Sequence, residues 1–235
     1  MSPQWMKRVP VAVGVLLAVA GCAGPAAPAP TPPDPPAVTA TATPTVRTPA
    51  GPIPASAFFV PPPITSSDQN IPAPEQNYVA LWSLCGARYA SDAQRTDLRG
   101  RHLFYYSPGA GGENIPEGTV DNTISLYQPG SGPVAMQQIR AALQACPHDR
   151  RDGSVVDYKL LAAPSLGDEA LLVQETWNPQ PGTQWVPVTS LATIVRVGDV
   201  VTVLLFLGWE GLNVDPAVAN DYTTRAVRAI EAWLR

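Results

Sequence analysis

Alternating strand and helix periodicity over residues 75–235 predicts an α+β domain, an antiparallel sheet of about five strands with helices packed on one face. Three observations lead there. Ile194-Val195-Arg196-Val197-Gly198-Asp199-Val200-Val201-Thr202-Val203 reads as two strands joined by a two-residue turn. Val200–Leu207 is apolar at every position but Thr202, so both of its faces are expected to be buried at the centre of a sheet. Apolar stripes at helical spacing precede and follow it: Met136, Ile139, Leu143 and Cys146, then Val218, Tyr222, Ala226, Ile230 and Trp233.

The elements follow in order. Tyr78, Leu81, Trp82, Cys85 and Tyr89 recur at helical spacing and predict a first helix over 76–89. A short strand near 101–106 leads into the glycine-rich loop Ser107–Gly112, and a further strand covers about 120–128. Pro133 suits the first turn of a helix over 133–145. Strands are expected at 155–161 and 168–177. The turn Asn178-Pro179-Gln180-Pro181-Gly182 leads to a long strand from about 184 to 197, bulged at Pro187. Asp215 caps and Pro216 opens the last helix, which carries Arg225, Arg228 and Arg235 toward its C-terminus, where the dipole favours cations.

The N-terminus has a different grammar. Lys7 and Arg8 precede an apolar run from Val9 to Ala20 that ends in Gly21-Cys22, the layout of a secretory signal over 1–21. As a helix that run rises only about 18 Å against roughly 30 Å of hydrocarbon, too little to span a membrane. Val19-Ala20-Gly21-Cys22 resembles the lipobox of bacterial lipoproteins, although Val19 stands where leucine is more usual. The resemblance implies cleavage before Cys22, a diacylglyceryl group on its thiol, and a lipid-anchored protein on the extracytoplasmic face of the cell membrane.

Residues 22–74 then read as a stalk. Positions 23–74 hold 16 of the 28 prolines and only three charged residues, Asp34, Arg47 and Asp68. Such a composition buries too little apolar surface to offset its ordering entropy. As a polyproline II rod it would reach roughly 160 Å, and as a soft coil roughly 40 Å. Thr39–Thr45 resembles an O-glycosylated stretch by composition. Phe58-Phe59-Val60 and Ile64 are the apolar exceptions, an arm that could pack into a groove of the domain.

Residues 75–235 make one domain with a proper core. They carry 12 Lys/Arg against 17 Asp/Glu, a net of −5, without clustering. Neither nucleic acid nor an anionic membrane surface is therefore an expected partner. Arginine far outnumbers lysine, which fits an actinobacterial coding bias. With Cys22 assigned to lipid, Cys85 and Cys146 remain, and two cysteines in an oxidising compartment are expected to pair. Both lie on inward stripes. A metal reading with nearby His148 falls short of four ligands.

No catalytic constellation is recognised, and nothing calls for a cofactor or a metal. Gly109–Gly112 lacks the Lys-Ser/Thr ending of a phosphate loop. His102 and His148, the only histidines, read as surface residues, although a dispersed Ser-His-Asp set leaves a hydrolase open. Asp168 and Glu169 are adjacent on a strand and cannot flank one bond. The aromatics Tyr105, Tyr106, Trp177, Trp185 and Trp209 lie near strand ends or loops. They either seal the core or line a groove for an envelope lipid, glycan or peptide.

Val120-Asp121-Asn122-Thr123-Ile124-Ser125-Leu126-Tyr127, the helix ending in Cys146, Leu166-Gly167-Asp168-Glu169-Ala170 and the Ile194–Val203 hairpin together resemble the PknH-like extracellular sensor domain. That family occurs on mycobacterial serine/threonine kinases and on free-standing actinobacterial lipoproteins. The resemblance implies an antiparallel sheet with helices and a cleft for an unidentified ligand. This chain departs from it in having one cysteine pair rather than two, and no kinase domain or spanning helix. A binding or sensor-like module is the leading expectation. An accessory lipoprotein that docks another envelope protein is the alternative, ahead of a hydrolase.

Overall fold

The structure is a computed structural model, and it describes residues 51–61, 68–71, 84–106, 115–151, 153–180, 182–184 and 186–235. The signal, Cys22, most of the stalk, the first part of the 76–89 helix, the Gly109–Gly112 loop and Trp185 lie outside the described residues.

Seven strands run from Arg95 to Gly208: β2 (Arg95–Tyr105), β3 (Gly118–Tyr127), β4 (His148–Arg151), β5 (Ser154–Leu161), β6 (Glu169–Asn178), β7 (Val188–Val197) and β8 (Val200–Gly208). A four-residue edge strand, β1 (Asp68–Ile71), joins them. The eight form one sheet in the order β1-β2-β3-β8-β7-β6-β5-β4, and every neighbouring pair is antiparallel. The expected sheet of about five strands is thus too small; six of the eight strands match expected segments. β1 and β4 are the missed edges. β4, His148-Asp149-Arg150-Arg151, is polar throughout and reads as a turn, as charged edge strands do.

Two helices cover the sheet: α1 (Gly132–Ala145) and α2 (Pro216–Trp233). They do not share one face, which corrects the expected layering. Val201 and Val203 of β8 pack with Met136, Ile139 and Leu143 of α1. Leu204 and Phe206, of opposite parity, pack with Ala219, Tyr222 and Ala226 of α2. Successive strand residues point to opposite faces, so α1 and α2 lie on opposite sides. The apolar run of β8 needs cover on both faces, and each helix supplies one.

Local signals hold where they were expected. Asp215 Oδ1 accepts the Ala217 N–H at 2.8 Å, capping α2. Gly198 takes φ 63° in the β7–β8 turn, and Val197 faces Val200 across it. The next residue, Asp199, is buried, and its Oδ1 accepts the Gly132 N–H at 3.1 Å. That carboxylate holds the start of α1 against the hairpin, where the helix dipole favours an anion. β7 begins at Val188, after Pro187, because proline gives no N–H to the ladder; the expected bulge is simply the strand's start.

Two expectations fail near the cysteines and the arm. Residues 84–89 are not helical: Leu84–Gly86 form a tight 3-10 turn with Cys85 at φ 49° and Gly86 at φ 68°, and Tyr89 is extended. Cys85 and Cys146 are bridged, as expected, with Cα atoms 6.3 Å apart, but Cys85 is exposed rather than on an inward stripe. The start of the folded part at residue 75 is also too late. Ile53, Ala57, Phe58 and Phe59 are all buried. Phe59 joins the Tyr222 cluster, and the other three join Val227 and Ile230 of α2. Polar ties fix this arm: Ile53 N–H donates to Asp97 Oδ2 at 2.7 Å, and Arg101 Nη1 donates to the Phe59 carbonyl at 2.9 Å.

Candidate functional site

The four described aromatics of the set singled out in the sequence, Tyr105, Tyr106, Trp177 and Trp209, do not converge on one groove. Tyr105 is buried beneath α2, its ring 6.0 Å from that of Tyr222. Its hydroxyl lies against Gly118, where any Cβ would collide with it. Burial pushes its pKa up to about 12. Phe104, the next residue back, points to the opposite face, and Trp209 packs on it with centroids 5.8 Å apart. Tyr106 is half-buried at the end of the described part of that loop. Tyr105 is therefore a core residue, Trp209 seals the far side of β2, and Trp177 stands in a third place.

Trp177 is the member of the set with a site around it. It lies near the end of β6 on the α1 side, in register with Val156 of β5 and Val188 of β7. Two positions back on the same face is Glu175, which is 1% exposed. Glu175 Oε2 accepts from Ser190 Oγ at 2.9 Å and from the indole N–H of Trp177 at 3.4 Å. Arg151, from the edge strand β4, holds its guanidinium 5.7 Å from the Tyr158 ring centre and 5.9 Å from that of Trp177. The same guanidinium lies 3.2 Å from Asp149 and 3.9 Å from Glu175. The cation is thus flanked by two rings and neutralised by two carboxylates. Burial pushes the Tyr158 hydroxyl up to about 12, outweighing the downward pull of Arg151.

This cluster fixes the indole from within. Outside it opens a depression of about 400 Å³, lined by Ser154, Trp177, Pro179, Gln180, Thr183, Val186 and Val188. The β6–β7 turn forms part of its wall. Thr183 closes that turn by donating both its N–H (3.2 Å) and its hydroxyl (2.9 Å) to the Gln180 carbonyl. None of the described lining side chains is ionisable. Such a surface offers contact and hydrogen bonding.

Sequence reasoning found Trp177 and missed its partners. Arg151, Glu175, Tyr158 and Ser190 come from four strands, and only the register brings them together. It also missed that His102 is paired. Its Nδ1 lies 2.6 Å from Asp121 Oδ1 across the β2–β3 ladder, and its ring meets Phe104 edge-on at 5.0 Å. Asp168 and Glu169 both bind Arg196, at 3.1 and 3.4 Å, and Glu169 also holds Arg140 at 2.8 Å. These ion pairs clamp the start of β6 to β7 and α1.

Comparison with known proteins adds little to this geometry. No protein-family description matches the chain, and no curated protein matches it. Among solved structures it is similar to the crystal structure of the extracellular domain of PknH from Mycobacterium tuberculosis, at 11% identity with a TM-score of 0.39. The match covers 60% of this chain and 65% of that one, so it spans just under two thirds of the neighbour's length.

Proposed function

We propose that this protein is an extracytoplasmic binding module, tethered to the cell membrane through lipid on Cys22, whose ligand docks in the depression beside Trp177. The carrying observation is the fixed indole. Trp177 is held by Glu175 and Arg151 on its inner side and lines an open, neutral cavity on its outer side. An aromatic that is already immobilised loses little entropy when a ligand arrives, and the cavity volume lies within the range of ligand sites. The tether rests on the residues Lys7 to Cys22. Among the described residues no helix is long and apolar enough to cross a membrane. The Cys85–Cys146 bridge is in keeping with an oxidising compartment.

The test is thermal shift of the full chain against separate glycan, peptide and lipid fractions of a bacterial envelope. At least one fraction should raise Tm in a dose-dependent way. The rise should vanish in Trp177→Ala and persist in His102→Ala. A rise equally strong in Trp177→Ala would place binding elsewhere and refute this site.

A further inference from the structure

We infer that the Trp177 depression takes an uncharged saccharide, a reading that rests on the binding role proposed above and narrows its ligand class. The lining chemistry carries this. Of the seven lining side chains one is a flat aromatic, three are uncharged hydrogen-bonding groups (Ser154, Gln180, Thr183) and three are apolar (Pro179, Val186, Val188). The C–H face of a pyranose ring stacks on an indole, while its rim of hydroxyls needs neutral amides and hydroxyls around that contact. Both parts are present side by side. Gln180 and Thr183 are exposed and Ser154 is half-buried, so their polar groups are reachable from solvent.

The rival chemistries fit less well. A phosphate or carboxylate needs a cation at the surface of the site. Arg151, 5.9 Å from the Trp177 ring centre, is not among the lining residues and is already committed to Asp149 and Glu175. An acyl chain needs an apolar enclosure, and this cavity is open, with Ser154, Gln180 and Thr183 among its lining side chains. A peptide added as a strand needs an unpaired sheet edge, whereas β6 is paired on both sides, with β5 and β7. The openness that argues against a lipid suits a sugar within a longer polymer, because the chain can leave the site at either side.

The experiment titrates the full chain with soluble neutral oligosaccharides (trimers of glucose and of N-acetylglucosamine, in α- and β-linked forms), following the Trp177 indole N–H by NMR. A proline-rich peptide and phosphatidylglycerol vesicles are titrated alongside. Saturable movement of that resonance with one trimer is the expected result, together with an affinity, measured by isothermal titration calorimetry, that falls at least tenfold in Trp177→Ala. Because truncating a half-buried indole can cost the fold itself, Gln180→Ala, on an exposed turn, provides the second reading. It should weaken saccharide binding several-fold without moving Tm. Binding of the peptide or vesicles through Trp177, with the saccharides silent, overturns the saccharide assignment and leaves the site standing. Silence of all three probes overturns both. Saccharide binding indifferent to both substitutions overturns this location.

Discussion

Replacing Phe59 by alanine tests whether residues 51–61 belong to the folded core. Phe59 is 2% exposed, its ring lies 5.5 Å from Tyr222 and 5.4 Å from the Arg101 guanidinium, and its carbonyl accepts from Arg101. A buried Phe→Ala change costs about 3–5 kcal/mol, the lost transfer energy plus the cavity left behind. For a domain of this size each kcal/mol moves Tm by about 2–4 °C, so a fall of roughly 10 °C is expected. Val60→Ala is the control: Val60 is 82% exposed and should change stability by no more than about 0.5 kcal/mol. A chain beginning at residue 62 also loses Ile53 and Phe58. Those side chains share partners with Phe59 along α2, so their costs do not add. The loss should still take up a large share of a total stability of about 5–15 kcal/mol. The assay is thermal unfolding followed by circular dichroism, with a single cooperative transition required before midpoints are compared. If the shortened chain and Phe59→Ala both melt within about 2 °C of the full chain, the arm is an ornament on the surface and the reasoning fails.

Three further outcomes can be checked. Replacing Cys85 and Cys146 together by alanine should lower the urea midpoint by up to about 4 kcal/mol of stability, the chain-entropy value for a separation of 61 residues; an unchanged midpoint would show that the bridge constrains nothing. Cys22→Ala should release the protein from the membrane fraction or leave an uncut precursor, and normal processing with retention in the membrane would refute lipid attachment. Burial pushes Tyr105, Tyr127 and Tyr158 each up to about 12 from the ordinary 10. The folded state then keeps protons that the unfolded chain releases above pH 10. Stability is therefore intact below pH 10 and falls from 10 to 12, for Tyr127 by at most about 1.4 kcal/mol per unit. Tyr127→Phe should flatten that fall, and an unchanged slope would contradict it.

What the sequence made legible is what it encodes locally. The Asp215 cap, the Gly198-Asp199 turn and the stripes of α1 and α2 each depend on residues a few positions apart, and each was found. The edge strands were not, because exposed edges carry the charges and polar groups that reading by hydrophobic period discards. The arm was half legible: Phe58 and Phe59 stand out as apolar exceptions, but Ile53 and Ala57 sit in a proline-rich stretch whose average composition set the boundary at residue 75. The cluster around Trp177 was half legible for a related reason. A tryptophan near a strand end is visible, but Arg151, Glu175 and Ser190 gather around it only through the pairing of β4, β5, β6 and β7. The error in layering is of another kind, because the sequence already contained its correction. A strand apolar at nearly every position must be covered on both faces, and that cannot be squared with helices on one side alone. Val201 and Val203 require one apolar partner, Leu204 and Phe206 another, and the chain offers two long amphipathic stripes of about the right width. Assigning one helix to each face is the arrangement that buries all four of these side chains, so β8 by itself determines a three-layer fold.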